Sequence, residues 1–296
     1  MTRVQNRVCV VGSVNLDHSF TVETLPRPGQ TVLASGVASA PGGKGGNQAV
    51  AAARSGAAVQ LVAALGDDSA AVQLRSHLRE HGVGLDGLTV VPGPSGTAVI
   101  VVDAGAENTI VVAPGANAHL SMTSAHVRTV VADADVVLIQ LEIPLQTALA
   151  AARVARAAGT VVVVNASPAL GDDADLAALA DSCDVVVVNE DEARDWHWPV
   201  PHLVTTRGAR GASYLHDGRN VDIPAPAVEP VDTTGAGDVF AGVLAAEWPS
   251  GAQRALHRAC AAGALATLIP GAGNCAPTAE AIDDVLDPTT SGLGAP

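Results

Sequence analysis

Val136-Val137-Leu138-Ile139-Gln140, Leu145 to Ala158, Thr160-Val161-Val162-Val163-Val164-Asn165, Asp175 to Asp181 and Val185-Val186-Val187-Val188-Asn189 follow one another along the chain, and their reading decides the fold. The three apolar runs are short and unbroken, the pattern of a strand covered on both faces, as in a parallel sheet. The segments between them carry Ala, Leu and long polar residues at helical spacing. Working outward, Val8 to Gly12 and Val59 to Leu65 read as further buried strands. Gly45 to Ser55, Ala70 to Glu80, Ala236 to Trp248 and Ala252 to Leu268 read as helices, and Gly ends many of the helices. Strand and helix alternate, so the expected fold class is α/β: a doubly wound, mainly parallel sheet flanked by helices, one domain over residues 1–296. Such sheets bind ligands at the carboxyl ends of their strands.

Two regions break the alternation. Phe20 to Ala40 and Ser95 to Ala113 read as extended segments, with turns at Pro26 to Gly29 and at Ala104 to Asn108. They predict a small antiparallel flap, a β-sheet lid formed by about residues 15–40 and 95–113. A lid beside the strand ends would exclude water from a bound substrate. An edge extension or dimerisation surface fits the same residues, and the sequence does not separate these. The tail from Pro288 to Pro296 is Gly/Thr/Ser/Pro-rich and is expected to fray.

Composition narrows the function. With 48% hydrophobic and 16% charged residues, 296 residues suffice for a large core; with aromatics at 2%, that core must be Val, Ala, Leu and Ile, which suits helix layered on sheet. A net charge of -14 repels nucleic-acid phosphates and anionic lipid, and no Lys/Arg run offsets it, so neither nucleic acid nor a membrane is an expected partner. A nucleotide remains compatible, because helix N-termini and Gly-rich turns supply local positive potential. Cys9, Cys183, Cys260 and Cys275 lack metal-ligand spacing and read as buried reduced thiols, which fits the cytosol. Met1 to Asn6 lacks the basic-then-hydrophobic layout of a signal peptide, and no apolar stretch reaches membrane-spanning length. His77 and His81 lie four residues apart with no third ligand in view, so no metal is expected there.

Three segments carry chemistry. Val231-Asp232-Thr233-Thr234-Gly235-Ala236-Gly237-Asp238 opens an Ala-rich helix. Small residues there let backbone N–H groups converge on an anion, and Asp238 in the first turn is placed to take a proton from an attacking hydroxyl. An ordinary Gly-rich N-cap accounts for the same residues. Pro41-Gly42-Gly43-Lys44-Gly45-Gly46-Asn47 opens another helix; it is not a P-loop, because the Lys spacing is wrong and no Ser/Thr follows. Its glycines allow close backbone approach to a polyol, with Lys44 and Asn47 as donors, while a flexible turn is the plainer reading. Gly12-Ser13-Val14-Asn15-Leu16-Asp17 ends the first strand, with Asn15 and Asp17 on one face, suited to a diol. Glu142 comes from another strand end and either lines the same cleft or is a solvated loop carboxylate. Asn189 and Glu192, with Thr206-Arg207-Gly208-Ala209-Arg210-Gly211, suit a nucleotide, a carboxylate near phosphates acting through Mg²⁺.

In this order the motifs resemble the ribokinase branch of the PfkB carbohydrate kinase family, and the match spans nearly the whole chain. The resemblance implies an α/β core with a β-sheet lid, ATP as phosphoryl donor, Mg²⁺, and D-ribose phosphorylated at its 5-hydroxyl. It places Asn15, Asp17, Gly42, Gly43, Lys44, Asn47 and Glu142 on the sugar, Asp238 as base, and Gly235, Ala236 and Gly237 as anion hole. Asn189, Thr206, Gly208 and Gly211 would hold ATP, and Glu192 would organise the Mg²⁺ region. A monovalent cation such as K⁺ would be held by Asp232, Thr234, Ala266, Ile269, Gly271 and Cys275, mostly through carbonyls. The resemblance also implies a homodimer paired through its lids. A kinase for deoxyribose, another pentose or a nucleoside would share Asp238; a silent sugar-binding regulator is a third reading. Two departures stand out: Trp196 to Pro201 is too short and Pro-rich for the helix that relatives place there, and Cys260 stands where relatives often carry Asn or His near the adenine.

Overall fold

The computed structural model describes residues 5–105, 107–169 and 174–287; the tail expected to fray, 288–296, lies outside them. The chain runs β1 (Arg7–Val11), β2 (Asn15–Thr21), β3 (Gly36–Gly42), α1 (Lys44–Arg54), β4 (Ala58–Leu65), α2 (Ser69–Glu80), β5 (Val83–Gly84) and β6 (Leu88–Val90). It continues through β7 (Gly96–Val102), β8 (Asn108–Ala113), α3 (Ala125–Ala132), β9 (Val136–Gln140), α4 (Leu145–Ala158), β10 (Val161–Asn165), α5 (Ala174–Ala180) and β11 (Val185–Asn189). It closes with α6 (Glu192–Asp195), β12 (His202–Thr206), β13 (Ala212–His216), β14 (Arg219–Ile223), α7 (Ala236–Glu247), α8 (Ala252–Ala266) and α9 (Ala279–Leu286).

The main sheet has the order β14-β13-β12-β11-β10-β9-β1-β4-β5, with β6 also on β4, and is parallel except for the β12-β13-β14 meander. Central strands are apolar throughout because both faces are covered. On β1 the alternation sorts the layers: Val8 and Val10 join a cluster with α1, α7 and α8, while Cys9 and Val11 join one with α3, α4 and α5. After β1 the chain builds outward through β4; after β9 it builds the other way through β10, β11 and β12. This reversal puts the crevice at the carboxyl ends of β1 and β9.

Local chemistry sets the helix limits. Asp68 caps α2 by accepting from Ala71 N at 2.9 Å, and Gly159 ends α4 at a positive φ of 77°. The helix expected to reach Trp248 stops at Glu247 and tightens to a 3₁₀ turn over Trp248–Ser250, because Pro249 cannot continue the α-helical ladder. Residues 196–201 form no helix, and only the short α6 separates β11 from β12.

The two irregular regions form a second sheet, ordered β3-β2-β7-β8. Its outer pairs are antiparallel, but the central pair, β2 with β7, is parallel, which corrects the expectation of an all-antiparallel flap. Both inner strands leave the body from one end, where Asn15 pairs with Gly96, so they run the same way. β8 is exposed along its whole length.

Candidate active site

The site is assembled by glycines that let elements touch. A Cβ on Gly45 would lie 2.7 Å from Gly12 C, Ser13 N and Ser13 O, so the start of α1 rests on the end of β1. Gly45→Ala is therefore expected to cost about 1–3 kcal/mol through overpacking, read as a lowered midpoint in urea unfolding. A Cβ on Gly42 would fall 2.0 Å from Asp17 Oδ2, which seats the Asp17 carboxylate on the Gly-rich turn. Gly273 packs on Pro41 O, and Gly235, at φ 78° as the N-cap of α7, packs on Ala272. The turn at 41–47, the loop around 271–275 and the mouth of α7 thus meet. A Cβ on Gly237 would meet nothing within 4 Å, so the helix mouth is open at that point.

Into this space come three carboxylates and one ammonium. Asp238 is buried; its Oδ2 accepts from Asn47 Nδ2 at 3.0 Å and its Oδ1 from Gln48 Nε2 at 3.1 Å. Glu142 Oε2 accepts from Ser13 Oγ at 2.6 Å and from Lys44 N at 3.3 Å. Gln140 closes the ring, its Nε2 donating to Ser13 Oγ at 3.1 Å and its Oε1 accepting from Glu142 N. Asp17 Oδ1 is buried with no protein partner. Asn15 is held by Asn117: Val14 N donates to Asn117 Oδ1 at 3.0 Å, which turns Asn117 Nδ2 to Asn15 Oδ1 at 2.8 Å. The Asn15 amide nitrogen is thereby the end left to meet a ligand.

The charges interact. Burial pushes the Asp17 carboxyl up to about 6, with Glu142 and Asp238 adding to the shift. Burial likewise raises Asp238, against the pull of Lys44 and the amides of Asn47 and Gln48, with Glu142 adding to the rise. For Lys44, burial works downward but Asp238, Glu142 and Glu192 outweigh it, so the ammonium stays protonated above its ordinary value. Glu192, the first residue of α6 just after β11, is therefore within electrostatic reach of the cluster.

Asn189 and Thr206 end β11 and β12, neighbouring strands of the same sheet. Asn189 Oδ1 accepts from Glu192 N at 2.8 Å and Glu192 Oε2 from Asn189 N at 2.8 Å, a reciprocal cap on α6. Thr206 Oγ1 donates to Val188 O at 3.3 Å. Gly208 and Gly211 turn at φ 56° and 83°. Cys260 is buried, its Sγ 3.7 Å from Ile223 O, and burial pushes its thiol up to about 12. Asp232 ties two loops together, accepting from Thr234 N at 2.9 Å and Gly271 N at 2.8 Å; burial opposes ionisation, yet these bonds hold the carboxyl below its ordinary value. Cys275 Sγ lies 3.3 Å from Ala272 O and 3.9 Å from Thr234 O. Ala266 is fully buried and Ile269 is exposed. The sequence reading missed Gln48, Asn117, Gln140 and Asn165, all buried polar side chains; the available signal was a polar residue closing an otherwise apolar strand, as Gln140 and Asn165 do.

A doubly wound sheet with a second sheet at its carboxyl edge, and carboxylates gathered beside an open helix mouth, are the arrangement of an α/β enzyme of the small-molecule kinase type. Residues 5–279 match the model of the pfkB family carbohydrate kinases. The chain belongs to that family. It is 34% identical over 294 residues to the ribokinase of Bacillus subtilis (strain 168), covering 94% of this chain and 99% of the relative. It is 32% identical over 307 residues to the bifunctional ribokinase/ribose-5-phosphate isomerase A of Fructilactobacillus sanfranciscensis, covering 95% of this chain but spanning 56% of that longer protein. The structure of Arabidopsis thaliana ribokinase complexed with ribose and ATP superposes with a TM-score of 0.88 at 28% identity, over 96% of this chain and 99% of that one.

Proposed function

We propose that this chain transfers the γ-phosphoryl group of ATP to the 5-hydroxyl of D-ribose, giving ribose 5-phosphate and ADP. The observation that carries the reading is the buried Asp238 carboxylate in the first turn of α7, beside the open mouth at Gly235, Ala236 and Gly237. Asp238 takes the hydroxyl proton as the oxygen attacks the γ-phosphorus, and the amides of the mouth bear the charge of the group in flight. Asn15, Asp17, Gly42, Gly43, Lys44, Asn47 and Glu142 hold the sugar; the unpartnered Asp17 Oδ1 and the oriented Asn15 amide support that role. Asn189, Thr206, Gly208, Gly211 and Cys260 border the nucleotide.

Glu192 would hold Mg²⁺ through water; the ion supplies charge neutralisation to the phosphates when bound. Asp232, Thr234, Ala266, Ile269, Gly271 and Cys275 would hold a monovalent cation such as K⁺. The ionised Asp232 and the carbonyls of Thr234 and Ala272 converging at Cys275 are a donor set of the right hardness. Pairing of two copies through the lid sheet is supported by the exposed Val37, Ile110, Val111 and Val112, and a cytosolic setting by four buried free thiols.

A coupled ADP-release assay over D-ribose, 2-deoxyribose, other pentoses and nucleosides, with and without K⁺, tests the whole. D-ribose is expected to turn over fastest, and faster with K⁺. Activity confined to nucleosides would remove ribose as substrate, and equal rates without K⁺ would remove the cation. Calorimetry showing ribose binding without turnover would point to the silent regulator.

A further inference from the structure

Gln48 is fully buried in α1, and the sugar and nucleotide roles assigned above do not use it. Its side-chain nitrogen bridges two oxygens: Asp238 Oδ1 at 3.1 Å and Asn165 Oδ1 at 3.0 Å. Asn165, the last residue of β10, in turn donates through Nδ2 to Val187 O of the neighbouring strand at 3.3 Å. The orientation of each amide is thereby fixed. Val187 O can only accept, so Asn165 Nδ2 faces it and Asn165 Oδ1 faces Gln48. Turning the Gln48 amide over would set its oxygen against a carboxylate and a carbonyl at once. The observed orientation leaves Gln48 Oε1 buried without a partner, a desolvation cost that the fold bears.

We propose that Gln48, locked by Asn165, is a positioning residue that fixes Asp238 from the side of the sheet, leaving Oδ2 as the oxygen that meets the substrate hydroxyl. Asn47 bonds Oδ2 beside the Gly-rich turn, where the sugar is held, and Gln48 bonds Oδ1 from α1, anchored on Asn165 at the end of β10. During transfer the sugar O–H bond breaks and an Oδ2–H bond forms; Oδ1, becoming the carbonyl oxygen of the acid, keeps its Gln48 donor throughout. The inference rests on the reading of Asp238 as the base.

The Gln48 bond also favours the ionised form of Asp238. The other charged or titratable groups facing Asp238 are Lys44 on α1, Glu142 after β9, Asp17 on β2 and Cys275 in the loop before α9; all are unchanged by substitution at 48. Gln48→Met keeps the length and apolar bulk of the side chain but removes the donor. With the full chain and D-ribose as substrate, kcat is expected to fall about ten- to a hundredfold, as for a misplaced catalytic group, with KM for ribose within about threefold of wild type. The acidic limb of kcat/KM is expected to move upward by about half a pH unit or more, since the donor that favoured the anion is gone. Asn165→Ala, which frees the Gln48 amide without touching Asp238, is expected to shift the limb the same way by less, and it decides the matter if Gln48→Met does not fold. An unmoved limb in whichever variant folds, with kcat unchanged or falling only in step with thermal stability, overturns the inference. Asp238→Asn in parallel keeps the two readings apart: if it retains turnover, the base assignment fails first; if it is inactive while Gln48→Met and Asn165→Ala behave as wild type, only the positioning role fails.

Discussion

Asp238→Asn is expected to lower turnover by about two to four decades while the dissociation constant for ATP changes by less than about threefold. The substitution keeps the shape of the side chain and removes the atom that takes the proton. It also leaves one acceptor where two donors converge, since Asn47 Nδ2 and Gln48 Nε2 each bond a different oxygen of the carboxylate. The wild-type pH profile supplies a second signature. Burial raises the Asp238 pKa, so its contribution to the acidic limb of kcat/KM lies above the ordinary carboxylate range; in Asp238→Asn that contribution is lost with the base, and only the limb set by Asp17 remains. Pre-steady-state mixing with ATP and ribose gives the chemical step directly. Near-normal turnover with the limb intact would reject the role of Asp238.

How much of this was readable in the sequence depends on what each residue's neighbours decide. The runs in β1, β4, β9, β10 and β11 were legible because a strand buried on both faces must be apolar throughout, and their limits agree with expectation to within about two residues. Other signals were present and missed. Thr278 caps α9 by accepting from Ala281 N at 3.3 Å, and Ser124 caps α3, both residue types that mark a helix start. Asp217-Gly218, with φ 50° and 71°, is a tight hairpin turn between β13 and β14 and is among the strongest short-range hairpin signals. The parallel pairing of β2 with β7 joins strands some eighty residues apart and has no local signature. The site divides the same way. The Gly-rich turns and Asp238 are visible because they recur in one order along the chain; each alone fits an ordinary turn or helix N-cap. The convergence of Asp17, Glu142 and Asp238, and the role of Gln48 in holding the last of these, come from the sheet order and from which glycines permit contact. An amide in an Ala-rich helix has nothing in its sequence to distinguish it from a solvated one.

Asp17→Asn is expected to raise stability and abolish efficient sugar use together. An Asp whose pKa rises on folding, here from an ordinary 3.8 to about 6, binds its proton more tightly in the native chain than in the unfolded one. Stability is then greatest below the unfolded value and declines as pH climbs through the folded one, so at neutral pH the ionised carboxylate is a net cost. About two pKa units at about 1.4 kcal/mol each set that cost near 2–3 kcal/mol. Asn carries no charge at any of these pH values and escapes both the burial penalty and the repulsion from Glu142 and Asp238. In the absence of sugar, the unfolding free energy of Asp17→Asn should therefore exceed that of wild type by about 2–3 kcal/mol at pH 7.5; the gap should shrink to a small fraction by about pH 4, where the native carboxyl is protonated, and vanish below the unfolded value of 3.8. The same change removes a charged acceptor whose Oδ1 has no other partner, so a ribose hydroxyl loses a bond of about 1.5–3 kcal/mol and KM is expected to rise about tenfold to more than a hundredfold. A variant that is destabilised at pH 7.5, or one whose advantage persists undiminished at pH 4, would show that the Asp17 carboxylate is not strained in the empty site. An unchanged KM would remove it from the sugar. If both expectations hold, the carboxylate is kept for the ligand at the expense of the fold, which is the ordinary bargain of a preorganised binding site.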